Sequence, residues 1–240
     1  MSSLGLEIQK IQEKVFATKG YSIKKKMARL GVSIYTFQRN NEELVKLLKL
    51  YETDYDFALK ISSVDNGEAF DTFLSEVTRL LHNYLASAKA LVEHTRNLFK
   101  DEYSETEFEA EYHAKIKGIF INSMVSKFIE ELRNYTLHRK LPITGASISF
   151  SMETGTTQSI HMTKEALMDW GGWSRKSKDY LTEQDDRIGL LQLINEYTKM
   201  VHEFQTWFKE RQYEIHSDSM KELEELEKEY KKAYEKIQKL

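Results

Sequence analysis

The chain has no cysteine, and that absence removes disulfides, thiolate zinc sites, iron–sulfur clusters and cysteine nucleophiles together. A chain without cysteine also suits a reducing compartment, so a cytoplasmic protein is expected. One proline and ten glycines in 240 residues exclude collagen-like chains and favour long uninterrupted helices. No run of about 18 apolar residues occurs, so no membrane-spanning helix is expected. Residues 1–7 show neither the basic nor the apolar region of a secretory signal. Charge of one sign is scarce as well: 35 Lys+Arg against 38 Asp+Glu give a net charge of −3. That balance argues against a DNA-coating protein and leaves room for a local basic site for RNA. What the chain does have is apolar mass, 40% of residues with the aromatics included, and 12% aromatic. This is enough to bury a core and excludes disorder.

Most of the chain repeats its apolar residues at helical spacing. Ile23, Met27, Leu30, Ile34 and Phe37, then Leu44, Leu47, Leu48, Tyr51 and Tyr55, predict helices punctuated at Gly20 and Gly31. After a loop at residues 62–67, Asp65 and Glu68 predict the cap of a helix running to about Lys100, with a wide apolar stripe. Ser104 and Glu107 form a capping box for a second long helix, with Phe108, Tyr112, Ile116, Phe120, Phe128, Leu132 and Tyr135 on its buried face. Pro142 should end it.

Between Ile143 and Met162 the period changes to two. Ile148 and Phe150 alternate with serines, and residues 153–156 have turn chemistry, so one β-hairpin is expected as the only strands. Thr163 should cap a short helix ending at Trp170–Gly172, and a long helix should follow from about Thr182. Ser219 and Glu222 predict a fresh cap. Leu223, Leu226, Tyr230, Ala233, Ile237 and Leu240 then form a heptad seam that pairs either with a second copy or back on the bundle. The fold class expected is all-α, a long-helix bundle with one inserted β-hairpin near residues 143–162. The expected divisions are an N-terminal helical segment (1–64), the bundle with its hairpin (65–218) and a C-terminal heptad helix (219–240).

Several chemistries have no motif to carry them. No Gly-rich phosphate loop is present, no histidine follows a glutamate by three residues as di-iron bundles require, and no serine-hydrolase elbow occurs. Glu109 and His113 share a helix face but lack a second half, so no metal and no cofactor are expected. Residues 173–178 mix Trp173 with three basic residues; a solvated loop is the simpler reading of them than a phosphate site.

The informative stretch closes the second long helix. Asn134 and His138 lie four apart on one helix face, with Arg133 about 100° round from Asn134. Arg139 and Lys140 add positive charge, and no acid falls between residues 132 and 152. An imidazole beside fixed positive charge can take the proton of a ribose 2′-OH while a guanidinium steadies the phosphorane. Cations at a helix C-terminus also complement the helix dipole, a purely structural role. A second Arg-x4-His pair, Arg211 and His216, contains Glu214 and lacks the asparagine; it reads as a helix-surface pair.

Arg133, Asn134 and His138, ending a long amphipathic helix, resemble the signature of the HEPN superfamily (higher eukaryotes and prokaryotes nucleotide-binding domains). The resemblance spans about residues 66–142 plus the helix after Thr182. It implies a helical bundle, a homodimer that joins two motifs in one cleft, and a metal-independent endoribonuclease of a toxin or antiviral-defence system, with an antitoxin or defence protein as partner. In that reading Arg133, Asn134 and His138 are catalytic, and Arg139 and Lys140 bind RNA. The alternative is a non-catalytic helical interaction or nucleotide-binding protein, to which the heptad tail would offer a partner helix.

Overall fold

The computed structural model describes residues 3–138, 144–151 and 155–238. Helix α1 (Ser3–Ala17) stops at Thr18, whose hydroxyl donates to the Val15 carbonyl (2.8 Å) and accepts from the Tyr21 amide (3.1 Å). Helix α2 (Lys19–Thr53) then runs unbroken through Gly20 and Gly31, where punctuation was expected. A lone glycine costs a helix only about 1 kcal/mol, too little to end one this long. Asp54 caps α3 (Tyr55–Ile61) by accepting from the Phe57 amide at 2.9 Å.

Both predicted caps that follow are absent. Residues 64–66 form a 3-10 turn, and Asn66 rather than Asp65 precedes α4 (Gly67–Tyr103), with its amide donating to the Lys60 carbonyl at 2.7 Å. Ser104 ends α4 by donating to the Lys100 carbonyl (2.9 Å), and Glu105 turns the chain at φ 65°. Helix α5 (Phe108–Ile116) begins only after that turn, braced by Glu109 accepting from the Glu105 amide at 2.8 Å. The expected second long helix is also split. A π-helical turn (Lys117–Ile121) and a break at Ser123 separate α5 from α6 (Met124–His138). Ser123 supplies the new start, its hydroxyl accepting from the Ser126 amide at 3.1 Å.

The hairpin forms as expected: β1 (Thr144–Ser151) pairs antiparallel with β2 (Gly155–Thr163), from Thr144↔Met162 to Ser151↔Gly155. Gly155 sits at φ +72°, a conformation that favours glycine. The hairpin is not the only strand pair, however. After α7 (Lys164–Met168) and α8 (Arg175–Glu183), strand β3 (Arg187–Gly189) joins β2 through His161↔Gly189 and Thr163↔Arg187. Three residues are too short to show a period, so the sequence reading ran a helix through them from Thr182. Helix α9 (Leu190–Ile215) starts only after β3, and α10 (Ser217–Ile237) opens behind His216 rather than at Ser219. No helix among the described residues is long and apolar enough to cross a membrane.

The chain folds as two compact units, Met1–Val32 with Gln205–Leu240, and Ser33–Phe204. In the first unit the heptad seam packs within the chain: Ile8 and Ile11 of α1 meet Ala233 and Tyr230 of α10. Gly20 is pressed against α10 so closely that a Cβ there would lie 2.2 Å from the Ser219 carbonyl oxygen.

The second unit is built around α4. Its Tyr84 contacts Phe37 (5.2 Å between ring centres) and Tyr197 (6.5 Å), and its Phe73 stacks on Tyr51 (5.5 Å). The buried Tyr84 hydroxyl lies 2.9 Å from the Thr198 hydroxyl, which donates to Asn41 at 2.9 Å, so this buried phenol is satisfied.

Candidate active site

Helix α6 is fixed by one aromatic face. Val125, Phe128, Ile129, Leu132 and Tyr135 recur at spacings of one, three and four, and all are buried. Phe128 stacks on Trp173 (5.2 Å) and Tyr180 (4.7 Å), and Tyr135 lies nearly parallel to Trp173 at 5.7 Å. Trp173 is itself anchored, its indole N–H donating to the Leu167 carbonyl at 2.6 Å. With that stripe inward, helical geometry puts Arg133 on a flank of α6 and Asn134 about 100° further round, both half-buried.

The structure brings those two side chains together. Arg133 Nη1 donates to Asn134 Oδ1 at 3.4 Å, a long hydrogen bond bent around the helix. Below them the Thr136 hydroxyl donates to the Arg133 carbonyl at 2.7 Å. No carboxylate among the described residues pairs with Arg133, whereas Lys127 on the same helix is bound to Glu130 (3.0 Å) and Glu131 (3.3 Å). His138 is the last residue of α6, one turn beyond Asn134 on the same face. Its ring, and the whole of Arg139 and Lys140, lie outside the described residues.

A carboxylate that the sequence reading passed over sits next to the motif. Glu131 is buried and accepts from the Ser174 amide at 2.9 Å, at the start of α8. Burial pushes its carboxyl up, but the Ser174 amide, the Ser177 and Ser174 hydroxyls and Lys127 outweigh that and hold it below the usual carboxylate range. Residues 173–178 are therefore neither a phosphate site nor a free loop. The N-terminus of α8 already holds an anion, an internal one. Trp173 is buried, Ser174 caps α8 through the Ser177 amide, and Lys176 donates to the Ile121 carbonyl.

The other candidate groups stay apart from the motif. Glu109 and His113 form an exposed contact at 3.7 Å, and no cluster of three metal-ligating side chains occurs among the described residues. Arg211 pairs with Glu214, and His216 is buried at the α9–α10 junction, so this second Arg-x4-His pair is a helix-joint feature rather than a surface pair. His161 is buried with glycines as both cross-strand neighbours, Gly145 and Gly189; burial and the nearby Arg187 push its pKa below the ordinary histidine value. A shallow groove of about 520 Å³ is lined by Glu52, Leu191, Gln192, Asn195, Glu196 and Lys199. Burial raises the Glu52 carboxyl there, against a hydrogen bond from the Ile160 amide at 3.4 Å. Neither His161 nor Glu52 belongs to any sequence motif, so pattern reading had no signal for them.

No family model, curated protein or solved structure matches the chain.

Proposed function

We propose that the chain is a metal-independent endoribonuclease of HEPN type that works as a dimer, as an effector of toxin or antiviral-defence kind. The observation that carries this reading is Arg133: a half-buried guanidinium bound to an amide, with no carboxylate partner among the described residues, on the helix end that also carries Asn134 and His138. A cation left open in this way is matched to phosphate.

In the proposed reaction the ribose 2′-oxygen attacks the adjacent phosphorus and gives its proton to a base. The bond from phosphorus to the 5′-oxygen breaks, and that oxygen receives a proton from an acid. The products are a 2′,3′-cyclic phosphate and a 5′-hydroxyl. His138 serves as base or acid, and a dimer supplies a second copy of the motif for the other role. Arg133 stabilises the charge on the phosphorane, Asn134 orients the guanidinium and phosphate, and Arg139 and Lys140 hold the backbone of the RNA. The alternative, a non-catalytic helical interaction or nucleotide-binding protein, would have to use a surface other than Tyr230 and Ala233 of α10, which pack on α1.

The test is incubation of purified protein with total RNA in EDTA, beside His138→Ala. Loss of acid–base catalysis typically costs about 10²–10⁴-fold, so the variant should give no visible cleavage while keeping the parent's circular dichroism. Cleavage that EDTA abolishes, or that His138→Ala leaves unchanged, overturns the proposal.

A further inference from the structure

Next to the motif's helix stands a half-buried indole, Trp170. Tyr180, Phe128, Trp173 and Tyr135 form a near-parallel stack, with interplanar angles of 29°, 30° and 13° along it. Trp170 does not join it. It meets Tyr135 at 73° (5.5 Å) and Trp173 at 84° (4.6 Å), and it remains half-buried where Trp173 is fully so. The ring is held in place from its own chain as well. It occupies the space beside Gly172 so completely that a Cβ there would lie 2.3 Å from the indole. Tyr135, the residue it contacts, lies between Asn134 and His138 on α6, so Trp170 touches the turn of helix that carries the motif. Just beyond it on α8, the Arg175 side chain is 95% exposed, with Asp179 3.9 Å from its Nε, and Lys178 is exposed too.

We propose that Trp170 is a stacking platform for one unpaired base of the RNA, beside the bond to be cut. This rests on the ribonuclease reading and deepens it by naming one contact with single-stranded or looped RNA, since a base inside a duplex has no free face to offer an indole. Sequence-tolerant stacking of this kind positions the strand without reading the base, and exposed cations such as Arg175 and Lys178 suit the flanking phosphates. Trp170 is thus a positioning residue. It touches the base, while the chemistry belongs to Arg133 and His138.

The experiment is a fluorescence titration of the His138→Ala protein, which cannot cleave, with a 12-mer single-stranded oligoribonucleotide and with the same sequence as a duplex. The expected result is quenching by the single strand only. It should disappear in Trp170→Phe, which preserves an aromatic ring for packing, and persist in Trp207→Phe. Trp170→Ala should weaken binding about tenfold, as loss of one stacked base does. In cleavage-competent protein Trp170→Phe should raise KM more than it lowers kcat. Should Trp170→Ala misfold, the Trp170→Phe titration decides alone. Quenching that survives in Trp170→Phe, or single-strand affinity equal to duplex affinity, overturns the proposal. Cleavage without Trp170 quenching refutes the stacking and leaves the ribonuclease reading standing. Quenching without any cleavage does the reverse.

Discussion

Glu131 and Arg133 stand two residues apart on α6 and meet opposite fates. Glu131 turns inward to the amide of Ser174, with Lys127 beside it, while Arg133 binds the Asn134 amide and no carboxylate among the described residues. Glu131→Gln keeps the shape and removes the charge, and should destabilise the fold by about 1–3 kcal/mol at neutral pH, the worth of a charged hydrogen bond at a buried site. The folded-state pKa of Glu131 lies below its unfolded value, so its contribution is present above the ordinary carboxylate range and is lost as pH falls through the folded value. Melting curves of parent and variant should therefore converge in acid; a constant gap down to the acid limit would contradict this. At Arg133, lysine retains charge but not the planar fork, so Arg133→Lys should keep RNA binding and lose most of the cleavage rate. Full activity in that variant would remove the guanidinium from the mechanism.

Elements, taken one by one, show where sequence and structure part. The periodic stripes of α4, α6 and α9 and the two-residue alternation of the hairpin were legible, because each follows from spacing within a single element. Strand β3 was not legible, because its reason to exist is an open edge on β2, more than twenty residues away. The capping boxes at Asp65 and Ser104 failed for a local reason. Asn66 and Ser104 bonded backward to the carbonyls of Lys60 and Lys100 instead of forward to the next helix. Gly20 gives the sharpest prediction at this scale. In Gly20→Ala the new methyl would meet the Ser219 carbonyl at 2.2 Å, and that carbonyl belongs to a helix backbone with little room to give. The variant should lose about 1–3 kcal/mol in chemical denaturation, although alanine is the better helix former. Gly31→Ala, which meets nothing within 4 Å, should instead gain a little stability.

For the molecule as a whole, the proposal requires a dimer. Light scattering should give twice the 28.3 kDa of the chain, and excess inactive His138→Ala protein should poison the parent's activity if one cleft draws on two motifs. A fully active monomer would exclude the composite cleft. Of the site itself, Arg133, Asn134 and His138 were legible because they sit within six residues of one helix. Glu131 with Ser174, and Tyr135 with Trp170, were not, since each pair closes across a long stretch of chain that no spacing rule spans.

The pairing of α1 with α10 has a bearing on how the protein is made. Ile8 and Ile11 leave the ribosome roughly 220 residues before Tyr230 and Ala233, the side chains that cover them. At about 5–20 residues per second, that apolar helix face waits roughly 10–40 s for its partner. The unit Ser33–Phe204 waits less: its pairing of Asn41 with Thr198 spans 157 residues, every contact within it is available once Phe204 has emerged, and it contains Arg133, Asn134 and His138. Synthesis therefore completes the candidate catalytic unit first and the helical unit that joins the two ends last. Between those two moments the nascent chain carries the folded motif-bearing unit together with an uncovered apolar helix face.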